Sequence, residues 1–295
     1  MRPRTLVLAV AGTGLGLLLA ASHGSFWWLT AVLTVLTAVL LQVLSNLAND
    51  YGDSRHGVDS RGRVGPTRAV QSGRVSLSVM LRAVALSAFL AAVAGLFLVR
   101  LALGPAGWIF IGVFVLLGAL AVWAAIAYTA TERPYGYYGL GDLMVFVFFG
   151  PVAVLGSYFL QAHTLDAWSL LPAAAAGLLA VGVLNVNNLR DLEGDRAAGK
   201  LTVPVRLGLR RGRIYHAVLV GGAMLLGLIA ALLDWRSAWQ LLFLLALPLL
   251  VAHVRAVFQR NGAELDPLLK QMALGALAFS LLFGIGNLLA GQSPT

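Results

Sequence analysis

Nine apolar stretches, each close to the roughly 20 residues an α-helix needs to cross the hydrocarbon of a bilayer, follow one another along this chain. They run from Thr5 to Ser22, Trp27 to Ala48, Leu77 to Leu103, Gly107 to Thr129, Gly141 to Ala162, Ala167 to Val186, Arg213 to Leu233, Ser237 to Val257 and Leu269 to Ala290. Inside lipid every backbone N–H and C=O needs a partner within the protein, so stretches of this length are read as helices. The composition agrees: 59% of the 295 residues are hydrophobic and 11% are charged, against about a quarter charged in an average soluble chain. The expected fold class is all-α, a polytopic bundle of nine transmembrane helices forming a single domain over 1–295. Arg2 and Arg4 before the first stretch, with Ala20, Ala21 and Ser22 behind it, have the look of a signal peptide. Eight further spans without a soluble domain to export argue against that reading. The chain has no cysteine, so neither disulfides nor thiolate metal ligands enter the argument.

The net charge of +9 would suit nucleic acid, but its distribution suits a membrane. With the N-terminus inside, every Lys and Arg except Arg82, Arg100 and Arg236 falls on the cytoplasmic side, as the positive-inside rule requires. The expected location is the inner (plasma) membrane, multi-pass, with the N-terminus and long loops cytoplasmic and the C-terminus outside. Membrane lipid is the expected surrounding, and no nucleic-acid partner is expected.

Two cytoplasmic connections are long, polar and charged, Asn49 to Ser76 and Asn187 to Gly212, and they follow the second and sixth spans. Laying Asn46 to Asp53 on Asn188 to Asp195 matches Asn46 with Asn188, Leu47 with Leu189, Gly52 with Gly194 and Asp53 with Asp195. Asn49 falls on Asp191, again an oxygen side chain. One constant offset covers all five, which predicts an internal four-helix parallel repeat, roughly 1–130 and 131–260, with an extra helix at 261–295.

Residues four apart share a helix face, so Asn49 with Asp53, and Asp191 with Asp195, each present two oxygens together. Mg²⁺ prefers such ligands and commonly bridges one or two carboxylates to substrate phosphates. These four are the candidate metal ligands, and Arg63, Arg68, Arg190, Arg196 and Lys200 the candidate diphosphate-binding residues. The alternative, charged helix ends that are merely solvated, suits one cluster better than two in register. A third polar stretch, Tyr128 to Asp142, carries Tyr135, Tyr137 and Tyr138. Asp142 and Tyr138, together with Asn46, are the candidate catalytic residues, Asp142 as a group that orients or deprotonates a phenol. The competing reading gives an interfacial tyrosine belt and an Asp142 helix cap. Gly12 and Gly16 form a small-residue packing face. The five histidines show no metal-ligand spacing and read as packing or interfacial residues.

On these residues the chain resembles the UbiA superfamily of intramembrane aromatic prenyltransferases, which shares nine spans and two Asp-rich motifs. Asn49-Asp50-x-x-Asp53 resembles the first half of the family's first motif and Asp191-x-x-x-Asp195 its second. Gly57 stands where a third Asp is often found, with Asp59 two residues on, and Tyr128 is followed by Glu132 where the family has Tyr-x-x-x-Lys. The stretches Ser45 to Asp53, Gly139 to Asp142, Asn185 to Asp191 and Ala198 to Gly208 resemble the branch that prenylates 1,4-dihydroxy-2-naphthoate. The resemblance implies Mg²⁺-dependent transfer from a polyprenyl diphosphate, with loss of pyrophosphate and CO₂, to give demethylmenaquinone. A relative using 4-hydroxybenzoate or homogentisate is the nearest alternative. A transporter of anions built on a parallel repeat is the alternative from another class, and carboxylates at helix ends instead of the midplane speak against it.

Overall fold

The computed structural model describes residues 3–55, 70 and 72–291. Arg63 and Arg68 lie outside the described residues, with Gly57 and Asp59. Among the described residues the chain is helical and contains no strand. Nine helices among the described residues are long and apolar enough to span a bilayer: Thr5–Ser22, Trp28–Arg55, Leu77–Leu103, Trp108–Ala127, Gly141–Ala162, Ala167–Arg190, Val203–Leu233, Ala238–Gln259 and Gly262–Gly291. They are referred to below as the first to ninth spans.

The number of spans agrees with the hydropathy pattern, but several ends do not. The second span continues past Ala48 to Arg55, so Asn49 and Asp53 belong to a helix and not to a loop. Hydropathy ends a span at the first polar residues, whereas this helix buries polar groups on one face, including Gln42, Asn46, Asp50 and Asp53. The sixth span reaches Arg190 and breaks at Asp191 (φ −94, ψ 12), after which the short helix Leu192–Ala197 begins. The two Asp motifs are therefore built differently: Asn49 and Asp53 sit on one unbroken helix, and Asp191 and Asp195 stand at a break and beyond it. The seventh span starts at Val203, earlier than the apolar run, and Gly208 at φ 77 separates its first turn from the rest. Only a residue without Cβ adopts that angle cheaply.

The helices pack unevenly. Phe243, Phe279 and Phe283, all fully buried, form a ring cluster between the eighth and ninth spans, with Leu179 of the sixth in the same core. Gly12 and Gly16 of the first span lie against backbone of the fifth, where a Cβ would overlap the carbonyls of Phe149 and Val154. This is the close approach that a small-residue face permits. The fourth span faces outward: almost none of it is buried, and Trp108, Phe110, Leu116 and Trp123 are exposed, as a lipid-facing helix requires. Between this outer wall and the packed core the fifth span interrupts its α-helix with a π-helical turn at Phe148–Val152, which contains Pro151. A π turn there lets the helix keep its course past a residue that has no N–H to donate.

The histidines are not all scattered. His216 of the seventh span and His253 of the eighth, both fully buried, meet Nε2 to Nε2 at 3.1 Å, and His253 Nδ1 lies 3.4 Å from Gln271 Oε1. Their separation of 37 positions hides this in the sequence.

Candidate functional site

The second and sixth spans end at the same face of the bundle, and one side chain links their motifs. Lys200 Nζ donates to Asp53 Oδ1 at 3.1 Å and stands 3.9 Å from Asp195 Oδ1. It also lies 4.6 Å from the centre of the Tyr137 ring, a cation–π distance. Tyr137 Oη donates to the same Asp53 oxygen at 3.3 Å. Two carboxylates from distant parts of the chain thus flank one ammonium. Local backbone geometry brings Lys200 there. Its N–H closes a turn onto the Asp195 carbonyl at 2.8 Å, over Gly199 at φ 72, and the next N–H, of Leu201, donates to the Tyr137 carbonyl at 2.8 Å. Arg206 then ties both loops, with Nη2 donating to the Tyr138 carbonyl at 2.7 Å and Nε to the Leu201 carbonyl at 3.0 Å.

Asn49 is held from the other side. Thr129 Oγ1 donates to Asn49 Oδ1 at 3.0 Å and to the Ala48 carbonyl at 3.2 Å. That approach needs Gly52, because a Cβ there would overlap the backbone of Thr129 and Ala130. Asp191 is engaged by its neighbour: Arg190 Nε and Nη2 donate to its two oxygens at 2.9 and 2.6 Å. Arg190 Nη1 donates to Asp266 of the ninth span at 2.6 Å and Nη2 to Asn187 at 2.9 Å, and its side chain is 3% exposed. Such a guanidinium cross-links two spans and fixes Asp191 by a bidentate fork. Arg196 is exposed and pairs with Glu193 at 3.3 Å, away from the carboxylates.

Burial pushes the Asp195 carboxyl up to about 6; Lys200 opposes that shift, and the charges on Asp191 and Asp53 add to it. Tyr128 and Tyr135 have phenols raised by burial, so both stay protonated near neutral pH. Tyr135 Oη donates to the Ala124 carbonyl at 2.8 Å, and its ring meets Tyr128 edge-on.

Beneath the motifs opens a cavity of about 750 Å³. Asn46, Asn49, Asn187, Tyr128 and Tyr135 line it near the motifs, and Phe114, Phe148, Phe149, Val152 and Leu160 line it further in. Along the second span it reaches from Asn49 to Thr34, about 22 Å at the helical rise. Asp142 and Tyr138 are not among its lining residues. Asp142 does not cap its helix either: Leu140 occupies that position without a side-chain bond, and Asp142 accepts the Tyr215 hydroxyl proton at 2.9 Å. Tyr138 is 54% exposed. Of the three candidate catalytic residues, the cavity includes Asn46 alone.

Among the described residues no group of three or more carboxylates, imidazoles or thiolates gathers at ion-binding distance. Asp53 and Asp195, with the amide oxygen of Asn49 nearby, still fit a hard cation, since Mg²⁺ needs only one or two carboxylates when phosphates and water complete its shell.

The comparisons with known proteins point the same way. The profile of the UbiA prenyltransferase family matches residues 7–275. A 1,4-dihydroxy-2-naphthoate octaprenyltransferase of Escherichia coli is 47% identical over 98% of this chain and 94% of its own length. One of Mycobacterium tuberculosis is 40% identical over 99% of this chain and 96% of its own. Among solved structures, a UbiA homolog from Aeropyrum pernix superposes with a TM-score of 0.71 at 18% identity, covering 97% of this chain and 98% of that one. A UbiA homolog from Archaeoglobus fulgidus bound to DMAPP and Mg²⁺ superposes with a TM-score of 0.60 at 17% identity, covering 96% and 97%.

Proposed function

Since the chain belongs to the UbiA prenyltransferase family, we propose that it transfers a polyprenyl group from a polyprenyl diphosphate to 1,4-dihydroxy-2-naphthoate, releasing pyrophosphate and CO₂ and giving demethylmenaquinol, the quinol form of demethylmenaquinone. The observation that carries this reading is geometric: Asp53, Asp195 and Lys200 stand together, and Asn49, one helical turn from Asp53, lines the end of a long, mostly apolar cavity whose lining stops short of those three. The near full-length likeness to naphthoate prenyltransferases supports the choice of acceptor.

The residues would act as follows. Asp53, Asp195 and Asn49 would hold Mg²⁺, with Asp191 oriented beside them by Arg190. Held there, Mg²⁺ would supply Lewis acidity toward the diphosphate. Lys200 would donate to the diphosphate, where negative charge grows as the allylic C–O bond breaks and its electron pair leaves with pyrophosphate. The apolar walls keep water from the allylic cation until the acceptor ring attacks through its carboxyl-bearing carbon, and that carboxyl group then departs as CO₂. A tail of isoprene units would lie along the fourth and fifth spans, where Phe114, Phe148 and Phe149 offer hydrocarbon contact.

Asp142 is assigned a positioning role. It receives the Tyr215 hydroxyl and so ties the start of the fifth span to the seventh. Asp142→Asn and Tyr215→Phe should each cost about 2 kcal/mol of stability, the scale of a hydrogen bond to a charged group. The double variant should lose little more than either, and turnover should stay within about tenfold of wild type. A collapse of acceptor turnover in Asp142→Asn alone would place Asp142 on the substrate.

The site faces the cytoplasm of the plasma membrane in this reading, because the cationic loops lie on its side. In a chain with no native cysteine, a single cysteine at Ala198 should react with an impermeant reagent only after the cells are opened. Labelling of intact cells would reverse the orientation.

The assay for the function uses purified protein in lipid with Mg²⁺, an allylic polyprenyl diphosphate and separate aromatic acids. A prenylated naphthoquinol and one CO₂ per turnover are expected with dihydroxynaphthoate. A preference for 4-hydroxybenzoate or homogentisate would move the protein to another acceptor within the family.

A further inference from the structure

The second span carries two amides into the cavity that the protein does not fully satisfy. Gln42 and Asn46 lie one turn apart on one face, are 7% and 3% exposed, and both line the cavity. Gln42 Nε2 lies 3.4 Å from Asn46 Oδ1, and Thr5 Oγ1 of the first span donates to the same oxygen at 3.1 Å. One donor, Asn46 Nδ2, and one acceptor, Gln42 Oε1, are left buried with no hydrogen-bond partner. Buried amide groups are rarely left so, because each forfeits its hydration without replacement. Thr37 Oγ1, deeper along the helix, is also unpartnered, but a helical threonine hydroxyl can rotate onto a carbonyl one turn back. An amide at Gln42 or Asn46 has no such recourse.

The cavity would receive two molecules, and they differ in what they offer these groups. A polyprenyl tail is hydrocarbon and provides neither donor nor acceptor. A hydroxylated aromatic acid provides both, as hydroxyl protons and as oxygen atoms. Asn46 lies three residues further into the bundle than Asn49, and Gln42 seven, so they stand about one and two turns below that motif residue. That is where a ring must lie to meet the allylic carbon as it parts from diphosphate.

We propose that Gln42 and Asn46 form the recognition edge for the polar substituents of the aromatic acceptor. Asn46 Nδ2–H donates to a carboxylate or hydroxyl oxygen of the ring, and Gln42 Oε1 accepts a ring hydroxyl proton. Thr5 and the Gln42 amide nitrogen fix Asn46 Oδ1, and so determine which way its donor points. Both side chains touch substrate and determine specificity without taking part in bond making. This inference rests on the prenyl-transfer reading and names how its second substrate is chosen.

The test compares wild type, Gln42→Leu and Asn46→Asp in lipid, reading acceptor KM and kcat separately from the affinity for an allylic diphosphate measured by calorimetry. Gln42→Leu keeps an aliphatic side chain of similar bulk and removes the acceptor; its KM for dihydroxynaphthoate should rise about tenfold or more, the worth of about 1.4 kcal/mol, with diphosphate affinity unchanged. Asn46→Asp should raise KM more for the carboxylate-bearing acceptor than for the naphthalenediol that lacks it, because a carboxylate would then face a carboxylate. A wild-type KM in folded Gln42→Leu overturns the proposal and leaves the amides to a bound water. Equal losses of donor and acceptor binding overturn it as well, since they mark a structural role. Should wild type turn over a different aromatic acid, the naphthoate reading fails and the same comparison on that acid still decides the edge. A wild-type protein that turns over no aromatic acceptor overturns both.

Discussion

Alanine in place of Asp53 or of Asp195 is expected to lower prenyl transfer at least about a hundredfold, the scale of losing a principal electrostatic stabiliser, while the protein still folds. One carboxylate comes from the second span and the other from the short helix after the sixth, and both approach the same ammonium, so each supplies charge that the other cannot replace. Both are buried, Asp53 to 5% exposure and Asp195 to 8%. A buried carboxylate is costly unless it is paired, and Lys200 stands between these two, so removing either one leaves the ammonium beside the other. Folding should therefore tolerate their loss better than catalysis does. The measurement is turnover beside the thermal midpoint in the same preparation. Near-normal turnover in folded Asp53→Ala or Asp195→Ala would remove the metal and diphosphate from this end of the cavity. Unfolding of either variant would assign the pair a structural role instead.

How far the sequence led depends on the kind of interaction concerned. The spans were legible because a bilayer imposes one length on every crossing helix, and that length survives any detail of packing. The meeting of the two Asp motifs was legible because both follow even-numbered spans and so emerge on one face. What stayed hidden was decided by loop closure and by side-chain direction. Lys200 was expected among the phosphate ligands, but nothing in its position announces that a turn at Gly199 would direct it between Asp53 and Asp195. Arg190 shared that expectation, and its donors are taken up by Asp191, Asp266 and Asn187. Asp142 pairs with Tyr215, a residue more than seventy positions away on another span, and not with the tyrosines beside it in the chain. The second span carries a further signal. Thr34, Gln42, Ser45, Asn46 and Asn49 recur at helical spacing within an otherwise apolar second span, and all five line the cavity. Polar residues on one face of a membrane helix face protein or a cavity more often than lipid.

Replacing Lys200 with methionine should move metal binding and turnover in opposite directions. The ammonium lies between Asp53 and Asp195 with its side chain 13% exposed, and the two carboxylate side chains are 7% and 12% exposed. A divalent cation held by the same two carboxylates has to displace that ammonium, and the displaced Lys200 is then free to turn toward diphosphate. Methionine keeps the length and the aliphatic contact with Tyr137 and removes the charge. Two facing carboxylates without a cation repel each other, so Lys200→Met should melt earlier than wild type, by a cost of about 3 kcal/mol or more for a broken buried pair. Added Mg²⁺ should then raise its melting temperature further than that of wild type, because binding relieves the repulsion and expels nothing. Turnover should still fall about a hundredfold, since the departing pyrophosphate loses a donor where its charge develops. Melting curves with and without Mg²⁺, with no substrate present, separate the two effects. If Lys200→Met gained no more from Mg²⁺ than wild type does, the ammonium and the cation would not share a position, and Lys200 would serve only to hold the two loops together.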